Sequence, residues 1–79
     1  MVRVLYFAAC RERAGISDEL IDVGNRTVED AVAVVASRHP ALTEVIARCR
    51  FAVNQSFVDR KSVIPDGAEL ALIPPVAGG

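Results

Sequence analysis

Hydrophobic and polar positions alternate along the start of the chain. Val2, Val4 and Tyr6 project to one side, and Arg3, Leu5 and Phe7 to the other. A period of two with β-branched and aromatic residues predicts a strand over 2–8. Gly15 and Ser17-Asp18 interrupt the pattern. A second strand is predicted over Glu19 to Val23 and ends at Gly24-Asn25. From Thr27 the period lengthens: Val28, Ala31, Val32 and Val35 recur at i, i+3, i+4, i+7, the apolar stripe of a helix that packs on a sheet. Thr27 supplies a hydroxyl cap, and Glu29 and Asp30 place negative charge at the positive end of the helix dipole. His39-Pro40 ends this helix, because the residue before proline is pushed out of helical geometry. A shorter helix is predicted over Leu42 to Arg48. Strands follow at Phe51 to Asn54 and Phe57-Val58, then an Asp66-Gly67 turn and a last strand, Glu69 to Ile73.

Two strands, a helix, a short helix and three short strands predict an α+β roll, a sheet covered on one face by a helix. The β-grasp, ubiquitin-like topology is the natural small fold with this order. The domain is expected over 1–73, with a tail over 74–79. Val2, Val4, Tyr6, Leu70 and Leu72 are the expected core side of the sheet. The other side holds Arg3 and Glu69, which suit water, but also Leu5, Phe7, Ala71 and Ile73, with Phe57 a further candidate. A contiguous exposed apolar patch marks a partner surface.

Composition narrows the function. Seventy-nine residues make one domain with a small core. Nine basic residues are interleaved with ten acidic ones for a net charge of −1, so neither nucleic acid nor an anionic membrane is an expected partner. The apolar run Val4 to Cys10 is too short for a signal peptide or a bilayer span. Two cysteines, Cys10 and Cys49, are too few for a disulfide scaffold. A cytoplasmic protein with reduced thiols is expected. No metal-ligand spacing and no phosphate-binding glycine loop is present, and no bound cofactor is expected. Cys10, in the first loop beside Arg11 and Arg13, is the one candidate nucleophile, but no base is placed beside it by sequence. Arg11 is read as an interface or ion-pair residue. The chain therefore shows no active site of its own, and substrate or carrier is the expected role.

The end, Ile73-Pro74-Pro75-Val76-Ala77-Gly78-Gly79, bears on that role. Pro74-Pro75 donate no hydrogen bond to a ladder and stiffen the exit from the last strand. Ala77-Gly78-Gly79 presents almost no side chain and suits a narrow tunnel. The chemical handle is the Gly79 carboxylate, a poor acyl donor until it is joined to AMP as a mixed anhydride.

Three stretches carry a family resemblance that spans the chain. Tyr6-Phe7-Ala8 with Arg11-Glu12 and Gly15, then Ala52-Val53-Asn54-Gln55, then Asp66-Gly67 through Pro74-Pro75-Val76-Ala77-Gly78-Gly79 resemble the small subunit of molybdopterin synthase (the MoaD family of sulfur carriers). The resemblance implies a β-grasp fold. It implies that an ATP-dependent, MoeB-like activating enzyme adenylates Gly79, and that the adenylate becomes a thiocarboxylate. It also implies that the tail enters a MoaE-like large subunit and gives sulfur to cyclic pyranopterin monophosphate (precursor Z), in a complex of two small subunits flanking a large-subunit dimer. The family's subunit contact falls on positions matching Phe7, Phe57 and Ile73, where Ile73 replaces a frequent aromatic residue. A carrier for thiazole synthesis shares the Gly-Gly end, and so does a ubiquitin-like modifier joined to lysines through Gly79.

Overall fold

A computed structural model describes residues 1–75 of the chain. Seven strands and three short helices are laid out as β1 (Val2–Tyr6), α1 (Ala8–Ala14), β2 (Asp18–Ile21), β3 (Arg26–Thr27), α2 (Val28–Arg38), α3 (Thr43–Ile46), β4 (Arg50–Val53), β5 (Ser56–Val58), β6 (Val63–Ile64) and β7 (Glu69–Ile73). A single 3₁₀ turn, Pro40–Leu42, joins α2 to α3. The main sheet runs β2-β1-β7-β4-β5. Strand β7 is central and runs parallel to its neighbour β1, and every other pairing is antiparallel. Helix α2 packs across one face, which is the β-grasp arrangement expected from the element order.

The packing follows the alternation. Val2, Val4, Tyr6, Leu70 and Leu72 are all buried, and they meet Val28, Ala31, Val32 and Val35 of α2. Thr27 closes a capping box: its hydroxyl accepts from the Asp30 N–H at 3.2 Å, and the Asp30 carboxylate accepts from the Thr27 N–H at 3.3 Å.

Four expectations need correction. The first strand stops at Tyr6, and the expected loop around Cys10 to Arg13 is helix α1. Ala8, Ala9, Arg11, Glu12, Arg13 and Ala14 are good helix formers. Gly15 then stops the helix with φ +77°, its N–H reaching the Arg11 carbonyl at 2.9 Å. The second strand ends at Ile21, so Val23 is buried from a turn instead. The helix expected over Leu42 to Arg48 is a 3₁₀ turn and a single α-turn ending at Ile46. Asn54 ends no strand. With Gln55 it forms a two-residue hairpin turn at φ +48° and +72°, the left-handed pair that matches strand twist. The Asn54 side chain also accepts from the Glu69 N–H at 3.0 Å, pinning this turn to the start of β7.

A polar cluster locks α2 to the sheet edge. The Glu19 carboxylate on β2 accepts from the Tyr6 hydroxyl at 2.6 Å, from Arg38 at 3.0 Å and from the His39 ring. Burial alone would raise the Glu19 pKa. The hydrogen bonds from Tyr6, His39 and Arg38 outweigh it and hold the carboxyl below its usual range. Burial, helped by Glu19, pushes the Tyr6 hydroxyl far up. A depressed folded pKa means stability that is present above the unfolded value and lost as pH falls through the folded one. Glu19→Gln is expected to lose on the order of 1–2 kcal/mol of unfolding free energy at neutral pH. The difference should close as pH falls below about 4, where glutamate is protonated in the unfolded chain. Urea unfolding at both pH values measures this, and an equal loss at low pH would contradict the electrostatic account.

Candidate functional site

The sheet face away from α2 is built by strand register. Arg3 and Leu5 on β1 pair with Glu69 and Ala71 on β7; Arg50 and Ala52 on β4 pair with Ile73 and Ala71; and Phe57 on β5 pairs with Ala52. Directly paired residues share a face, so these side chains form one surface. Phe7 joins it from the residue before α1. Its backbone is extended, and Ala8 then takes φ +47°, turning the chain sharply into the helix. Phe7, Leu5, Ile73, Ala71, Ala52 and Phe57 line a shallow cleft of about 260 Å³, with Gln55 and Glu69 at its rim. Phe7 is 45% exposed and Phe57 60%. Large apolar side chains this open, lining one cleft, make a patch rather than scattered surface residues.

Strand β7 runs through the middle of this face and ends at Ile73. Pro74 is buried and Pro75 exposed. The rest of the expected tail, Val76, Ala77, Gly78 and Gly79, lies outside the described residues. Of the residues singled out in the sequence, Phe7, Phe57 and Ile73 are brought together. Arg11 is not with them: exposed on α1, it lines a separate cleft with Ala8, Glu12, Gly15, Ile16 and Ser17. Arg50 escaped the sequence reading. It pairs with Ile73, and its guanidinium carbon lies 4.3 Å from the centre of the Phe57 ring. The signal was available, since a strand beginning at Arg50 instead of Phe51 places that side chain on the apolar face.

Cys10 does not act as the nucleophile considered above. It is fully buried, its Sγ 3.5 Å from that of Cys49, and both thiols are free. Burial pushes the Cys10 thiol up, against smaller opposing effects of Cys49 and Arg13. Burial likewise pushes Cys49 up to about 12. A fully buried, protonated thiol such as that of Cys10 is inert. Among the described residues there is no group of three or more histidine, cysteine or carboxylate side chains placed to hold a metal, and no helix long and apolar enough to cross a membrane.

The fold defines a class, the ubiquitin-like β-grasp domains. The chain belongs to the ThiS family, whose model matches residues 4–79. It is 42% identical to the molybdopterin synthase sulfur carrier subunit of Chlamydomonas reinhardtii, over 99% of this chain and 98% of that one. Among solved structures, SAMP1 from Haloferax volcanii superposes with a TM-score of 0.87 at 32% identity, covering 99% of this chain and 98% of that one. A subunit of the complex of subunits 1 and 2 of molybdopterin-converting factor from Helicobacter pylori superposes at 0.73 with 25% identity, covering 99% and 97%. The resemblance read in the sequence is thereby borne out at the level of family and fold.

Proposed function

We infer that this chain is the sulfur carrier subunit of a molybdopterin synthase. The observation that carries the reading is end-to-end similarity to a curated carrier of that name, Gly78-Gly79 falling within the match to the family model. In this reading the Gly79 carboxylate attacks ATP held by a separate activating enzyme, pyrophosphate leaves, and an acyl-adenylate remains. A sulfur donor at the sulfide level displaces AMP and leaves a thiocarboxylate. The tail, Pro74 through Gly79, then carries that sulfur into the large subunit and gives it to cyclic pyranopterin monophosphate. The apolar face around Phe7, Phe57 and Ile73 docks on the large subunit, and the acid–base side chains are supplied by the partner. Arg11, which lines a separate cleft, is left outside this docking surface. The chain itself holds no cofactor, and the reaction is placed in the cytoplasm.

Division of labour makes physical sense of the surface. A carrier must dock, release and dock again on two enzymes, which favours a modest exposed patch over a large permanent interface. Co-expression with the activating enzyme and a sulfur donor is expected to raise the intact mass by the difference between one sulfur and one oxygen. An unchanged mass under conditions that adenylate the terminus would contradict the carrier reading. A second reading is favoured by the 0.87 superposition on SAMP1, a small archaeal modifier protein. Isopeptide adducts between Gly79 and target lysines would identify a modifier.

A further inference from the structure

Charge is distributed unevenly along this molecule. Between Arg48 and Lys61 the chain carries four cations against one carboxylate, Asp59, although its overall net charge is −1. The β4–β5 hairpin folds the two ends of that stretch together. Cys49, Arg50 and Phe51 there face Phe57 through Lys61 across an open cleft of about 550 Å³. Phe57 lines this cleft and the apolar one alike, so the two surfaces are continuous.

Both arginines of the cleft lie over aromatic rings, Arg50 over Phe57 at 4.3 Å and Arg60 over Phe51 at 5.0 Å. Stacking fixes a guanidinium against an apolar surface without satisfying its N–H donors. Arg60 donates two long bonds, to the Ile46 carbonyl at 3.3 Å and to Glu29 at 3.4 Å. Asp59 is occupied by the Lys61 N–H at 2.8 Å and the Ser62 hydroxyl at 3.4 Å. Arg50 has no hydrogen-bond acceptor and no carboxylate partner among the described residues. Among the described residues it is thus a pre-oriented, unpaired cation, directly across the ladder from Ile73.

We propose that this cleft receives an acidic segment of the large subunit, and that Arg50 takes its carboxylate. The proposal rests on the carrier reading above. A protein carboxylate is favoured over a free anion by continuity: a partner lying on Phe7, Ile73 and Phe57 reaches the cleft across the shared Phe57 ring. Covering Arg50 with that partner lowers the local dielectric, and a planar fork already held on a ring loses little freedom when it grips a carboxylate. Such a contact sets orientation and salt dependence more than bulk affinity, and it fixes which way the partner lies relative to the tail root.

The test is calorimetric titration of the full chain, unaltered and as Arg50→Glu and Arg50→Lys, into the large subunit of the same organism. Titrations run at about 0.05 M and about 0.5 M salt, which brackets strong and weak screening. Thermal melts verify that each variant folds. Arg50→Glu is expected to bind roughly tenfold or more weakly at low salt, with the gap closing to a few-fold at high salt. Arg50→Lys is expected to fall between, keeping the charge but losing the planar fork. Affinity of the Arg50→Glu chain within twofold of the unaltered one at low salt would overturn the proposal. So would a loss that is the same at both salts, which would assign Arg50 to packing alone, or a gain, which would make the partner cationic there. Failure of the unaltered chain to bind would remove the carrier reading together with this one.

Discussion

Removal of Gly79 is expected to abolish thiocarboxylate formation and sulfur transfer while leaving the melting temperature unchanged. Every strand, and every core residue among those described, lies at or before Ile73. The truncated chain would still end in a carboxylate, on Gly78, so the loss is one of reach. One residue of extended chain spans about 3.3–3.6 Å. A reacting atom must sit within roughly 3–3.5 Å of its target, and a misplacement of about 1 Å can cost on the order of 100-fold. A carboxylate one residue short therefore misses ATP altogether unless the whole domain moves toward the enzyme, and the stiff Pro74-Pro75 exit and the docked face oppose that. Gly79→Ala keeps the length and adds one methyl, so it is expected to retain part of the activity. Intact mass after co-expression with the activating enzyme and single-turnover sulfur transfer read both variants. Full activity of the truncated chain would sink the assignment of Gly79 as the reacting residue.

The elements legible in the sequence are those with several periods of a pattern. Strand β7 was bounded correctly because Glu69 to Ile73 alternates for its whole length between the Asp66-Gly67 turn and Pro74. Helix α2 was legible from its stripe and its Thr27 cap, even though it holds four β-branched valines. Helix α1 was not, although Ala8 to Ala14 favours helix, because the apolar run from Val4 continues through Cys10 without a cap. The break is made by the backbone: Ala8 takes a left-handed φ that no alanine advertises. Likewise β3 and β6 are two residues each, too short to show a period, and exist because Arg26–Thr27 and Val63–Ile64 meet across the fold. The apolar face was legible because alternation fixes which residues share a side. What lay beyond the sequence was the cross-strand register, and with it the placement of Arg50 beside Ile73 and over Phe57.

Ile73→Glu is expected to weaken binding to the large subunit by about 30-fold or more, corresponding to roughly 2 kcal/mol. Across the sheet, Ile73 lies between Phe7 and Phe57, and it is the last residue of β7 before the tail leaves. Apolar side chains at the middle of a contact, ringed by others that exclude water, carry more of the affinity than those at its edge. A glutamate there must be desolvated beneath an apolar partner surface, and no arrangement of the rim restores its hydration. The isolated chain should tolerate the change, because Ile73 is only partly buried and Arg50 lies directly opposite, able to pair with the new carboxylate. That pairing would also occupy Arg50, so the Ile73→Glu loss should exceed the Ile73→Ala loss by more than side-chain volume explains. Melting temperature and calorimetric affinity, measured on the same preparations, separate folding from docking. Affinity within threefold of the unaltered chain would remove Ile73, and with it the centre of this face, from the interface. A matching fall in melting temperature would instead identify Ile73 as a residue the domain needs to fold.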